Sequence, residues 1–228
     1  MSPRVEVRRV RGGLELRIDG TQASVQRPGR ALTGVVWWAL ASPVLLLPSG
    51  RRPRVLVLGL AAGSVARALR VLDPGVEIVG VERDRAVVRL ARRHFGLDRL
   101  GVEIVVGDAR AYLRRERRLF DLVVEDLFVG PPRSVRKPEW LAGEGYRLIR
   151  RRLRAGGYVV SNTIHEMPAV VRAMRPLGGR VVSMDVSGHW NRVTLCGRDL
   201  PAPRALRRIL GTRPEIARVL GRIALRSR

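Results

Sequence analysis

Short apolar runs and amphipathic segments alternate through most of this chain, and that order leaves few folds open. Residues 54–69, RVLVLGLAAGSVARAL, begin the pattern. Five strand-forming residues stop at Gly59, cross Leu60, Ala61 and Ala62, and resume after Gly63 with apolar residues at helical spacing. The spacing predicts strands at 54–58, 76–81, 102–106, 121–126 and 156–161. Between and after them it predicts helices at 64–72, 84–95, 109–116, 139–153 and 166–175, with Asp84 and Asp108 as N-caps. Strands that are apolar on both faces and joined by amphipathic helices imply a parallel sheet covered on both sides.

Two further runs, GRVVSMDVSG and NRVTLCG, leave no room for a helix between them and predict a hairpin at the sheet edge. The expected fold is therefore α/β, a doubly wound, mostly parallel seven-stranded sheet. Residues 5–26 alternate in three short runs and predict an antiparallel meander ahead of it, and the arginine-rich tail predicts one or two helices. The expected division is 1–50 for the meander and an apolar helix, 51–200 for the Rossmann-like domain, and 201–228 for the basic tail.

With 228 residues, 46% of them hydrophobic, the chain can bury a substantial core. A single cysteine, Cys196, excludes an intramolecular disulfide, and the start MSPRVEVRRV lacks an apolar signal core, so a cytoplasmic setting is expected. Residues 31–50 are uncharged and about as long as a membrane span, but Gly34, Ser42, Pro43 and Pro48 interrupt them. A buried helix and loop is expected there, and no membrane association.

The formal charge is +24, with arginine supplying every basic residue except Lys137. Residues 1–72 carry 12 basic and 3 acidic residues, 73–144 carry 14 and 13, and 145–228 carry 18 and 4. Such positive flanks attract polyanions, so RNA binding through them is one expectation, and a solvated arginine-rich surface is the other. No nucleic-acid recognition motif accompanies the charge, and Trp37 and Trp38 fall in the apolar run, where core packing is expected.

Ligands of such sheets bind at the carboxyl ends of the strands, where strand order reverses, and the 59–64 turn belongs there. Its small residues admit a ligand close to the backbone, and the following helix N-terminus favours an anionic group. Glu82 ends the second strand, 19 residues after Gly63, where a carboxylate can accept from both hydroxyls of a ribose. Asp108 follows the third strand, within reach of an adenine edge, and serves equally as an N-cap. Glu125 and Asp126 end the fourth strand and are expected to face the same crevice. With no G-x-x-x-x-G-K-[ST] motif present, a nucleoside is favoured over a triphosphate.

These motifs resemble, in succession, those of class I S-adenosylmethionine-dependent transferases, and more closely the spermidine synthase branch. VLVLGLAAGSVARALR, VEIVGVERDRAVVRLARRHFGL, VEIVVGDARAYL, FDLVVEDLF and LIRRRLRAGGYVVSN carry the likeness, which extends over residues 14–197 with LELRIDGTQAS. The resemblance implies that Gly59, Ala61 and Gly63 line the cofactor, that Glu82 holds the ribose, and that Asp108 and Ala109 flank the adenine. It implies S-adenosylmethionine, or its decarboxylated form, with no metal. Relatives of that branch associate through their N-terminal strands, so a homodimer is expected.

Three positions depart from the branch. Ala62 stands where an aspartate meets the amino group of decarboxylated S-adenosylmethionine, Val129 stands where a second aspartate helps deprotonate the acceptor, and Ala23 stands where a glutamine contacts the amine, with Gln22 beside it. Loss of a charged hydrogen bond of about 1.5–3 kcal/mol weakens decarboxylated-donor binding roughly 10- to 150-fold. Intact S-adenosylmethionine brings its own carboxylate, which an acidic loop repels. The leading expectation is thus a methyltransferase with a small-molecule or nucleic-acid acceptor, Glu125 and Asp126 acting on the acceptor, with Asn162 and His165 behind them. Aminopropyl transfer is the first alternative, and a non-catalytic nucleoside- or nucleic-acid-binding protein the second.

Overall fold

The computed structural model describes residues 3–27, 29, 34–131 and 134–228. Strands β1 (Val5–Val10), β2 (Gly13–Ile18) and β3 (Thr21–Gln26) form the antiparallel meander. Helix α1 (Val35–Ala41) follows, continued by a 3-10 turn at Ser42–Leu46, and both are largely buried. Residues 31–33 of the uncharged run lie outside the described residues. No helix among the described residues is long and apolar enough to cross a membrane.

From there the alternation runs β4 (Arg54–Leu58), α2 (Ser64–Leu72), β5 (Glu77–Glu82), α3 (Arg85–Phe95), β6 (Val102–Val106), α4 (Ala109–Arg115) and β7 (Phe120–Glu125). The caps fall where the sequence puts them. The Asp84 carboxylate accepts from Ala86 N–H at 2.7 Å and that of Asp108 from Ala111 N–H at 2.9 Å, each satisfying a donor that the first helical turn leaves unpaired. Beyond β7, a π-helical turn at Leu141–Gly145 leads into α5 (Tyr146–Arg150), then β8 (Leu153–Thr163), α6 (Met167–Met174), β9 (Arg180–Val186) and β10 (Arg192–Gly197). The helix expected at 139–153 is shorter because β8 begins at Leu153, where it pairs with Phe120 of β7.

The large sheet has the order β11-β9-β10-β8-β7-β4-β5-β6. Its β8-β7-β4-β5-β6 part is parallel, and the β8-β10-β9-β11 part antiparallel. Eight strands replace the expected seven. After α7 (Pro203–Leu210) and α8 (Pro214–Leu220), the tail adds β11 (Ile223–Ser227), which pairs with β9, so the β9–β10 hairpin does not form the edge.

Apolar layers cover both faces of this sheet. One joins Leu16 of the meander, α1, α2, the inner face of α3 and the tail residues Leu206, Leu210, Ile216 and Ile223. The other joins α4, α5 and α6 through Leu113, Tyr146, Ile149, Val170 and Met174. Both layers leave the carboxyl ends of β4, β5 and β7 open between the meander and the segment after β7.

Candidate active site

Strand order reverses between β4 and β7, and there the two strand ends are drawn together. Asp126 N–H donates to Leu58 C=O at 2.9 Å, and Gly59 has φ +87°. A Cβ at Gly59 would lie 2.5 Å from the Asp126 carbonyl oxygen, so only glycine fits. Ala61 next turns left-handed at φ +46°, which aims its N–H at Glu82 Oε2, 2.9 Å away. Asp84 N–H reaches Glu82 Oε1 at 3.0 Å. Each carboxylate oxygen thus holds one backbone donor and keeps capacity for another. Burial raises the Glu82 carboxyl above its ordinary range, against the pull of the backbone N–H groups.

Glu82 opens on a cavity of about 1100 Å³ that Gly59, Ala61, Asp108, Ala109 and Asp126 also line. Its volume lies just above the roughly 300–1,000 Å³ of ordinary ligand pockets, room for two small reactants. Gly107, at its wall, has open space where a Cβ would stand. The cap bond accounts for one Asp108 oxygen, while the residue itself is exposed at the cavity wall.

Opposite this half lie Glu15, Asp19, Gln22 and Ala23 from the meander, Trp37 from α1, and Glu139 and Trp140 from the segment after β7. Gln22 is tied to Glu15 by a 2.6 Å hydrogen bond. Among the described residues, seven carboxylates (Glu15, Asp19, Glu82, Asp84, Asp108, Asp126, Glu139) and five arginines (Arg27, Arg83, Arg110, Arg136, Arg222) line the cavity, an acidic excess inside a chain of charge +24.

Asp126 stands where the halves meet. Asn162 Nδ2 donates to its Oδ1 at 2.8 Å, Asn191 Nδ2 in turn holds Asn162 Oδ1 at 3.0 Å, and the Trp37 indole is a further hydrogen-bonding neighbour. Burial pushes the Asp126 carboxyl up to about 6, against the Lys137 charge and the Asn162 N–H, which favour its ionised form. A carboxylate of that affinity, lining a cavity beside a buried amide, is suited to proton transfer near neutral pH.

The structure separates several residues that the sequence grouped. Glu125 is fully buried and does not line the cavity. Successive strand residues point to opposite faces, so Glu125 and Asp126 cannot both turn into one crevice. Glu125 Oε1 accepts from Lys137 Nζ at 2.7 Å and from Leu127 N–H at 2.8 Å, and its Oε2 faces the hydroxyls of Ser161 and Tyr146. Burial and the Glu125 charge raise the Tyr146 phenol well above its ordinary range, which keeps it a donor.

Gly63 is also displaced from its expected role. A Cβ there would meet the Leu97 and Leu100 side chains at 2.8 and 3.0 Å, so this glycine serves helix packing and lies off the cavity wall. Ala62 is buried off the wall too, with its N–H on Ser24 Oγ at 3.0 Å. Val129 does line the cavity, in a two-way backbone bridge with Arg136 at 2.8 and 2.9 Å. Of the two second-rank candidates, Asn162 reaches the site, whereas His165 is exposed and off the wall. Trp38 is core, as expected, and Trp37 packs partly buried against that core, both contributing to the cavity wall.

No protein-family model matches the chain. It is 28% identical over 141 residues to a probable polyamine aminopropyl transferase of Bifidobacterium longum, an alignment covering 61% of this chain and 30% of that one. It is 32% identical over 131 residues to polyamine aminopropyltransferase 2 of Hyperthermus butylicus, covering 54% and 42%. The matched region therefore spans less than half of either relative. Among solved structures, a probable spermidine synthase from Corynebacterium glutamicum superposes with a TM-score of 0.78 at 19% identity, over 99% of this chain and 88% of that one. Human methyltransferase-like protein 13 in complex with SAH gives 0.63 at 18% identity, over 82% and 90%.

Proposed function

From the premise that this chain is spermidine synthase-like in sequence and fold, a class I S-adenosylmethionine-dependent transferase architecture, we propose that it transfers an aminopropyl group from decarboxylated S-adenosylmethionine to an amine. This reverses the order in which the sequence ranked the two transfers. Asp126 carries the reading: a half-buried carboxylate with an affinity near neutral, in a cavity whose described lining holds more carboxylates than arginines although the chain is strongly basic. An anionic acceptor gains nothing from that wall, and a cationic amine does.

The donor supplies an electrophilic carbon bonded to a sulfonium and leaves as a neutral thioether. Glu82 accepts hydrogen bonds from the ribose hydroxyls, and Asp108 faces the base across the open space at Gly107. An alkylamine has a reference pKa of about 10.4 and arrives protonated. Asp126 accepts its proton, freeing the nitrogen lone pair. The nitrogen–carbon bond then forms as the carbon–sulfur bond breaks, its electron pair returning to sulfur. Asn162, held by Asn191, keeps Asp126 aimed at the acceptor. Closing the wall with Trp37 and Trp140 excludes water, and alignment of nitrogen with the scissile bond supplies the rest of the acceleration.

Ala62 in place of the branch's aspartate supports methyl transfer as the second reading. Calorimetric titration with decarboxylated and intact S-adenosylmethionine, followed by product analysis with diamine acceptors, separates the two. Tighter binding of the decarboxylated donor and an aminopropylated product are expected. Preference for the intact donor with no aminopropyl product overturns the proposal.

A further inference from the structure

Outside the cavity wall, the least expected group in the molecule is the Lys137 side chain. In a chain that uses arginine at every other basic position, its one lysine is 6% exposed. The ammonium has three directions filled: Glu125 Oε1 at 2.7 Å, Leu127 C=O at 3.0 Å, and the Phe128 ring, whose centroid lies 4.1 Å away. A compact ammonium with three separate donors meets such a set, whereas the flat fork of a guanidinium does not. Composition bias toward arginine makes the exception informative.

The partners of Lys137 lie at the end of β7 and the start of the segment that follows it. Leu127, Phe128, Val129 and Arg136 all line the cavity, Val129 and Arg136 are bridged backbone to backbone, and Lys137 N–H is held by Glu166 Oε1 at 2.9 Å. The described residues leave β7 after Asp126 and come back at Ser134–Lys137, so the buried ion pair ties Lys137 to the start of that segment beside the cavity. Removing water from that pair strengthens its field on the adjoining carboxylate. The titratable groups facing the pair are Asp126 from the end of β7, Tyr146 from α5 and Glu166 ahead of α6.

We propose that Lys137 is a positioning residue: through Glu125 and Leu127 it pins the cavity-lining segment after β7, and its charge, opposed to the charge of Glu125, acts on the adjoining Asp126. The proposal rests on Asp126 acting as the acceptor's base, yet its geometry stands without turnover. Lys137 lowers the proton affinity of Asp126 and Glu125 raises it, so the two members of one ion pair act on their neighbour with opposite sign.

The test uses the full chain and four variants, with two readouts that need no catalysis. Carbon-13 titration of the Asp126 carboxyl should move its midpoint up by about one unit in Lys137→Met and down in Glu125→Gln. Amide exchange at Leu127, Val129 and Arg136 should accelerate at least tenfold in Lys137→Met, and also in Lys137→Arg, in which the Asp126 midpoint stays near that of the unsubstituted chain. Should Lys137→Met fail to fold, the neutral pair Glu125→Gln/Lys137→Met removes both buried charges, and its amides should still exchange faster. In an aminopropyl transfer assay, the acid limb of kcat should follow the Asp126 midpoint in each variant while KM for the donor stays constant. Midpoints that move the same way in Lys137→Met and Glu125→Gln, or amides unchanged in the neutral pair, overturn the proposal. An inactive chain that still shows both responses overturns the reading of function and leaves the positioning role standing.

Discussion

Among the described residues around the cavity, seven carboxylates outnumber five arginines, whereas the solvent face of α3 presents Arg85, Arg89, Arg92 and Arg93 around a groove bordered by Val106. Among the described residues, the one ion pair those four make is Arg92 with Asp98, at 3.0 Å. The same arginine-biased chain thus builds two surfaces of opposite character. The outer one follows composition, because a solvated helix face tolerates any long charged side chain. The inner one departs from it, because Glu82, Asp84, Asp108 and Asp126 are placed there by backbone donors, helix caps or a neighbouring amide. Net charge therefore describes what the exterior attracts and says little about what the cavity accepts.

The largest expected effect breaks the inner surface. Asp126→Asn keeps the Asn162 contact and removes the base, so kcat/KM for aminopropyl transfer should fall about 10²- to 10⁴-fold, with donor affinity by calorimetry unchanged. The same variant should melt higher than the unsubstituted chain at pH 7.5. Asp126 has a folded affinity near 6, above its unfolded value, so its ionised form opposes folding at neutral pH. For that group alone, stability rises as pH falls through about 6 toward the unfolded value.

Next in size, Glu82→Gln retains the shape but loses the ionised acceptor, and methylthioadenosine binding by calorimetry should weaken roughly 10- to 150-fold. Acidification sharpens the comparison further. With Asp126 required ionised, kcat/KM should fall about tenfold per pH unit below about 6, and the break should vanish in Asp126→Asn.

Smaller effects concern the outer surface. Arg89→Glu with Arg93→Glu should shorten retention on immobilised heparin, while transfer stays within about twofold of the unsubstituted rate. The last test sets the two surfaces against each other. If the +24 exterior governs encounter, kcat/KM for a diamine should rise a few-fold as salt increases from low ionic strength, since screening removes long-range repulsion. A fall with salt would assign control to the cavity wall.

Much of this was written in local pattern. The parallel strands and α2, α3 and α4 follow from apolar runs and helical spacing, and Asp84 and Asp108 cap where expected because capping is a contact between residues two or three apart. Strand β11 was not legible: in IALRS only Ile223 is buried, and its pairing partner β9 lies far along the chain. The reach of Glu82 and Asp126 toward one cavity was legible from their places at strand ends. The burial of Glu125 had a readable signal in the period-two alternation of a strand, which two adjacent acids cannot escape. The oddity of Lys137 was visible in composition, but nothing local named its partner.

Sequence alone determined the alternating order of elements, the helix caps and the positions of the strand-end acids, since each depends on neighbours within a few residues. Tertiary structure decided which acid faces the cavity, which one meets the lone lysine, that Gly63 supports packing, and that the described cavity lining of a basic chain holds more carboxylates than arginines. Those outcomes depend on groups brought together across the sheet and the loop after β7, and their energies come from burial and charge at distances that residue order does not encode.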